Sequence, residues 1–135
     1  MAQFTFHHGG ISAPSLDEAI AWYGRVLGFA LEKRFRLEAA GADAAMIRKG
    51  PLRFALFEVA GAAPLPDDRR HPPLDLMTHG NKHVAFCVRD LDARQREFEG
   101  HGVEEVFDVR EAFGAGFFIR DCAGNLIEFV EELNQ

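Results

Sequence analysis

His8-Gly-Gly-Ile-Ser-Ala-Pro-Ser-Leu-Asp17 and His83-Val-Ala-Phe-Cys-Val-Arg-Asp-Leu-Asp92 decide the fold, because the second stretch repeats the first. Each opens on a histidine, crosses a short apolar segment and closes on Leu-Asp at the mouth of a helix. One offset, 83 minus 8, carries Ile11 onto Phe86, Leu16 onto Leu91 and Asp17 onto Asp92. Two copies are too few for a solenoid, which needs about three stacked units to bury a continuous core. The 135 residues therefore read as two related halves that pair with each other or with another chain.

Phe4 to Ala13 reads as a strand, with Phe4, Phe6, His8 and Gly10 on one face and His7 with Ile11 on the other, so the adjacent histidines point in opposite directions. Ser15 fits a helix N-cap with Glu18 as its capping-box partner, and Leu16, Ala19, Ile20, Tyr23 and Leu27 follow at helical spacing before Gly28. Strands over Phe29 to Leu37, Ala44 to Lys49 and Leu52 to Val59 complete a βαβββ half. From Ala60 to Lys82 the prolines and charges of a long connection appear, and the run Asp67-Asp-Arg-Arg70 reads as a wet surface. The second half repeats the order: strand His83 to Val88, helix cap Asp90, a helix through Leu91 and Phe98, then strands near Glu104 to Val109, Gly116 to Arg120 and Leu126 to Val130. Gly114-Ala-Gly116 reads as a turn, and His71 and His101 as solvated loop residues.

Thirteen Phe against one Trp and one Tyr suggest dense aromatic packing inside. A net charge of −6 without a basic cluster argues against nucleic acid as partner. Cys87 and Cys122 have no framework spacing, and no stretch is long enough to span a bilayer, so a reduced, cytoplasmic protein with no membrane partner is expected.

Taken together, His8-x-Gly-Ile11, Leu16-Asp-x-Ala-Ile20, Trp22-Tyr-x-x-Val-Leu-Gly-Phe29, His83-Val-Ala-Phe86, Asp90-Leu-Asp92 and Asp121-x-x-Gly-Asn-Leu-Ile-Glu128 resemble the vicinal oxygen chelate superfamily. That group contains glyoxalase I, methylmalonyl-CoA epimerase, extradiol dioxygenases and the bleomycin-resistance binding proteins. The resemblance implies an α+β fold of two βαβββ modules forming a cup-shaped mixed sheet with helices outside. It implies one domain over 1–135, with module one about 1–60, a linker about 61–82 and module two about 83–135. It implies a homodimer, a small-molecule substrate, and a divalent metal held by His8, His83 and Glu128.

Aligning Phe54-Ala-Leu-Phe-Glu58 with Ile127-Glu-Phe-Val-Glu131 sets Ala55 opposite Glu128 and Glu58 opposite Glu131. Strand alternation then points Glu58 away from the cup, so a fourth ligand reads as lost unless a bulge turns Glu58 inward. Two imidazoles and one carboxylate form the facial triad suited to Fe(II), with Mn(II), Ni(II), Co(II) or Zn(II) as alternatives. The leading expectation is an Fe(II)-dependent extradiol-type dioxygenase acting on a small catechol-like or vicinal-oxygen substrate. One alternative is a glyoxalase- or epimerase-like lyase or isomerase that uses the metal to stabilise an enediolate. The other is a metal-free, resistance-type binding protein. His79 is the candidate acid or base, Tyr23 belongs to the core, and Phe113, Phe118 and Arg53 are candidate pocket residues.

Overall fold

Ser15 starts the first helix as its side chain predicts: its backbone is extended, and its Oγ accepts from the Glu18 N–H at 3.2 Å. Helix α1 (Leu16–Leu27) ends at Gly28, whose φ of 78° is the left-handed conformation that glycine adopts without a steric penalty. Lys49 Nζ donates to the Leu27 carbonyl at 2.9 Å, so a cation closes the negative end of the helix dipole.

In this computed structural model, which describes residues 3–112 and 114–132, the chain forms two compact units, 1–64 and 65–135. The first contains α1 and strands β1 (Gly9–Ser12), β2 (Ala30–Leu37), β3 (Ala42–Lys49) and β4 (Leu52–Val59), in the order β1-β4-β3-β2. The second contains helices α2 (Pro72–Asp75) and α3 (Leu91–Gly100), with strands β5 (Val84–Cys87), β6 (Glu105–Glu111), β7 (Gly114–Arg120) and β8 (Leu126–Glu132), in the order β5-β8-β7-β6. In each sheet the first strand runs parallel to the last, and the other pairs are antiparallel. The sequence repeat is thus a repeat of topology, and the fold is α+β.

Each unit packs its helix on one sheet face through aromatic rings. Tyr23, fully buried, meets Phe29 and Phe54 edge-on or tilted, and Phe98 on α3 meets Phe117 and Phe129. Ring pairs at these offsets add to the area that they bury.

Three expectations need correction. The first strand is only Gly9–Ser12, because only these residues pair with β4; Phe4 and Phe6 before it are exposed, contrary to the expectation that phenylalanine lies inside. Without pairing there is no pleat to separate the two histidines, and the His7 and His8 rings meet edge-on at 5.0 Å. The third difference lies in the connection between halves. Asp67–Arg70 forms a 3-10 turn leading into α2, and Asp75 is buried there. Its Oδ1 accepts from Arg69 Nε at 2.6 Å and lies 3.3 Å from Lys82 Nζ, while Lys82 also holds the Asp75 and Thr78 carbonyls. The charge run is therefore partly an internal lock. His71 likewise packs against Arg120, at 3.2 Å. No described helix is long and apolar enough to cross a membrane.

Candidate functional site

The entry to β8 is set by Asp121, whose Oδ1 accepts from the backbone N–H groups of Ala123 and Asn125 at 2.8 and 2.9 Å. Such an aspartate-organised turn determines where the next strand begins. Alternation along β8 then sends Ile127 and Phe129 to the α3 side and Glu128 to the opposite face. Phe118 is directly opposite Glu128 on β7, and Ala85 is its partner on β5. His83, two residues before Ala85, brings its Nε2 to 3.3 Å from Glu128 Oε1. Its ring stands edge-on to Phe118 at 4.8 Å. The side chains of His83 and Glu128 keep 27% and 19% of their exposure, so the pair is reachable yet partly desolvated.

Gly116 supports this arrangement; the expected strand began at Gly116, but Gly114-Ala-Gly116 is part of β7 and not a turn, and the role of Gly116 beside Glu128 was not read from the sequence. At Gly116 a Cβ would come within 2.9 Å of the Phe129 carbonyl and 3.4 Å of Glu128 Oε2. A glycine inside an apolar strand run signals such close approach.

The first unit holds the equivalent positions. Gly10 pairs with Ala55 as Ala85 pairs with Glu128, so Ala55 occupies the place that Glu128 occupies in the second unit. The β1–β4 and β3–β4 registers run without a shift, so no bulge turns Glu58. Glu58 shares the α1 side with Phe54 and accepts from the Leu16 N–H at 2.6 Å, a helix N-terminus where a carboxylate is favoured. His8 is exposed, two residues before Gly10, with its Nδ1 2.7 Å from that of His7.

A half-buried carboxylate beside an imidazole supplies one oxygen and one nitrogen donor, a combination that suits first-row divalent ions. Among the described residues no group of three or more His, Cys, Asp or Glu gathers as a metal-binding cluster. The second unit thus offers two of the three donors expected, and His8 lies in the first. His79 is exposed on the loop after α2. Phe118 is buried against the pair, Arg53 lies in the first unit on the Ala55 face, and Phe113 falls outside the described residues.

Residues 5–129 match the Glyoxalase/Bleomycin resistance protein/Dioxygenase superfamily, and the chain belongs to that superfamily. It is 33% identical over 102 residues to a 2-epi-5-epi-valiolone epimerase from an Actinomyces species, covering 64% of this chain and 53% of the relative. The chain therefore spans about half the length of that curated relative. A glyoxalase family protein from Enterococcus faecalis superposes with a TM-score of 0.81 at 20% identity, over 97% of this chain and 100% of that one. The trypanothione-dependent glyoxalase I of Leishmania major superposes with a TM-score of 0.72 at 19% identity, over 96% and 88%. At these identities the two structures show the fold alone.

Proposed function

We propose that the chain is a divalent-metal-dependent isomerase that inverts a stereocentre beside the carbonyl of a small hydroxylated ketone. The observation that carries this reading is the His83–Glu128 pair at 3.3 Å, partly desolvated against Phe118. The name of the Actinomyces relative supports an epimerase of a ketone over the oxygen chemistry that ligand counting favours. His8, His83 and Glu128 would hold the metal, with Mn(II), Co(II), Ni(II) or Zn(II) suited to the donors. When bound, such an ion stabilises the oxygen anion that forms as the neighbouring carbon loses its proton. Glu128 presents Oε1 to the imidazole, and its carboxylate would take that proton from one face of the carbon, while a proton from solvent delivered to the other face completes the inversion. Phe118 holds the His83 ring by its edge and keeps water from that side of the pair.

A second reading, an Fe(II)-dependent extradiol-type dioxygenase, is favoured by Ala55 and Glu58. With Ala55 in the position of Glu128 and Glu58 engaged at α1, two histidines and one carboxylate remain.

Both are tested on one chelator-stripped preparation, reloaded anaerobically with Mn(II), Co(II) or Fe(II), beside His83→Ala and Glu128→Ala. The expected result is metal-dependent incorporation of solvent deuterium at the carbon next to the carbonyl in cyclic hydroxyketones, reduced at least about 100-fold in Glu128→Ala. Oxygen uptake with catechols and no deuterium exchange would replace the first reading by the second. A protein that binds none of these ions would overturn both.

A further inference from the structure

The first sheet gathers more positive charge on one face than it neutralises. Arg48 and Arg53 stand directly opposite one another on β3 and β4, where like charges repel. Both lean on a single oxygen: Glu32 Oε1 lies 3.1 Å from Arg48 Nη1 and 3.6 Å from Arg53 Nη2. Lys33, the next residue, places its Nζ 5.5 Å above the Phe35 ring and, among the described residues, has no carboxylate partner. Two arginines thus share one anion, with Lys33 left beside them, in a chain whose net charge is −6. The Arg53 Nε is buried without a hydrogen-bond partner, and its side chain retains 25% exposure, so the rest of the guanidinium is reachable. Arg48 is steadied by its Nε donating to the Gly50 carbonyl at 2.8 Å, which leaves its outer nitrogens in position.

We propose that Arg53, with Arg48, is a recognition site for an oxyanion, a carboxylate or phosphate group carried by the substrate. Two guanidinium groups side by side match an anion with several acceptor oxygens, and each charge-assisted bond is short and directional. Arg53 is two residues from Ala55 on the same strand and face, about 7 Å along the chain. This specificity assignment rests on the proposed function only in taking the Ala55 face as the one that meets substrate. Glu32 acts as the internal anion that the ligand displaces from Arg53, since the two are only loosely paired.

The test is calorimetric titration of the full chain with inorganic phosphate and with malonate at fixed ionic strength. It compares wild type, Arg53→Met, Arg53→Lys, Glu32→Gln, Glu128→Ala and, as a charge control, Arg36→Met. The expected result is saturable binding of at least one probe, weakened at least tenfold in Arg53→Met, less in Arg53→Lys, and changed less than twofold in Arg36→Met. Glu32→Gln should bind several-fold more tightly, because a competing carboxylate is gone. A merely structural Glu32 would give the opposite sign. Binding that survives in Glu128→Ala but is lost in Arg53→Met would uphold the oxyanion site even where the isomerase reading fails. No saturable binding to wild type, or equal binding to wild type and to Arg53→Met with an unchanged melting curve, would overturn it.

Discussion

Replacing Glu58 by alanine should weaken folding and leave metal binding intact. The carboxylate accepts from the Leu16 N–H at 2.6 Å, in the first turn of α1. A hydrogen bond to a charged group contributes roughly 1.5–3 kcal/mol, and an anion at a helix N-terminus adds roughly 0.3–1 kcal/mol. Water can reach this part-buried site and replace some of that loss, so a cost of about 2 kcal/mol is expected. For 135 residues the unfolding entropy is about 0.3 kcal/mol/K, and the midpoint should fall by about 7 °C. Glu58→Gln keeps an acceptor oxygen and should lose less than half as much. Thermal melts read the stability, and titration with Mn(II) or Co(II) reads the metal. A normal melting point with metal affinity reduced about tenfold would refute the reasoning, because Glu58 would then be a ligand and not a helix partner.

Gly116→Ala should cost about 2 kcal/mol in denaturant unfolding, since the new methyl meets the Phe129 carbonyl at 2.9 Å and backbone must move. The same shift displaces Glu128 and should weaken metal binding about tenfold; wild-type values for both would mean that β7 has more room than the structure shows. Asp75→Ala should cost about 2–3 kcal/mol, because Arg69 and Lys82 lose their shared carboxylate but remain partly open to water. Trypsin should then cut at Arg69 or Arg70 sooner, and an unchanged cleavage rate would show that the lock contributes nothing.

Much of the fold was legible because two periodicities are written plainly in the chain. The helical stripe from Leu16 to Leu27, capped by Ser15 and closed by Gly28, needs only local rules, and α1 follows it. The repeat of His8 to Asp17 at His83 to Asp92 forecast two copies of one topology, and the strand registers reproduce it. Where local pattern had no pairing partner to act on, it misled. Phe4 and Phe6 alternate as a strand would, yet β4 supplies partners only from Gly9 onward.

For the candidate site, the residue types and their strand positions were readable in the chain: an imidazole before β5, a carboxylate on β8, and alanine at the matching place on β4. The ligand positions come from the family resemblance and Ala55 from aligning the two halves; alternation, a property of the backbone, then separates the faces of Ala55 and Glu58. Which groups meet depends on how the strands and helices pack. The tertiary structure set His83 against Glu128 and Phe118, engaged Glu58 at the start of α1, opened space for Glu128 at Gly116, and buried Asp75 between two cations inside what composition marked as a loop. The His83–Glu128 and Glu58–Leu16 contacts join segments far apart in the chain through strand register and packing, while the Asp75 lock closes over six and seven residues once the connection folds. No local propensity encodes them.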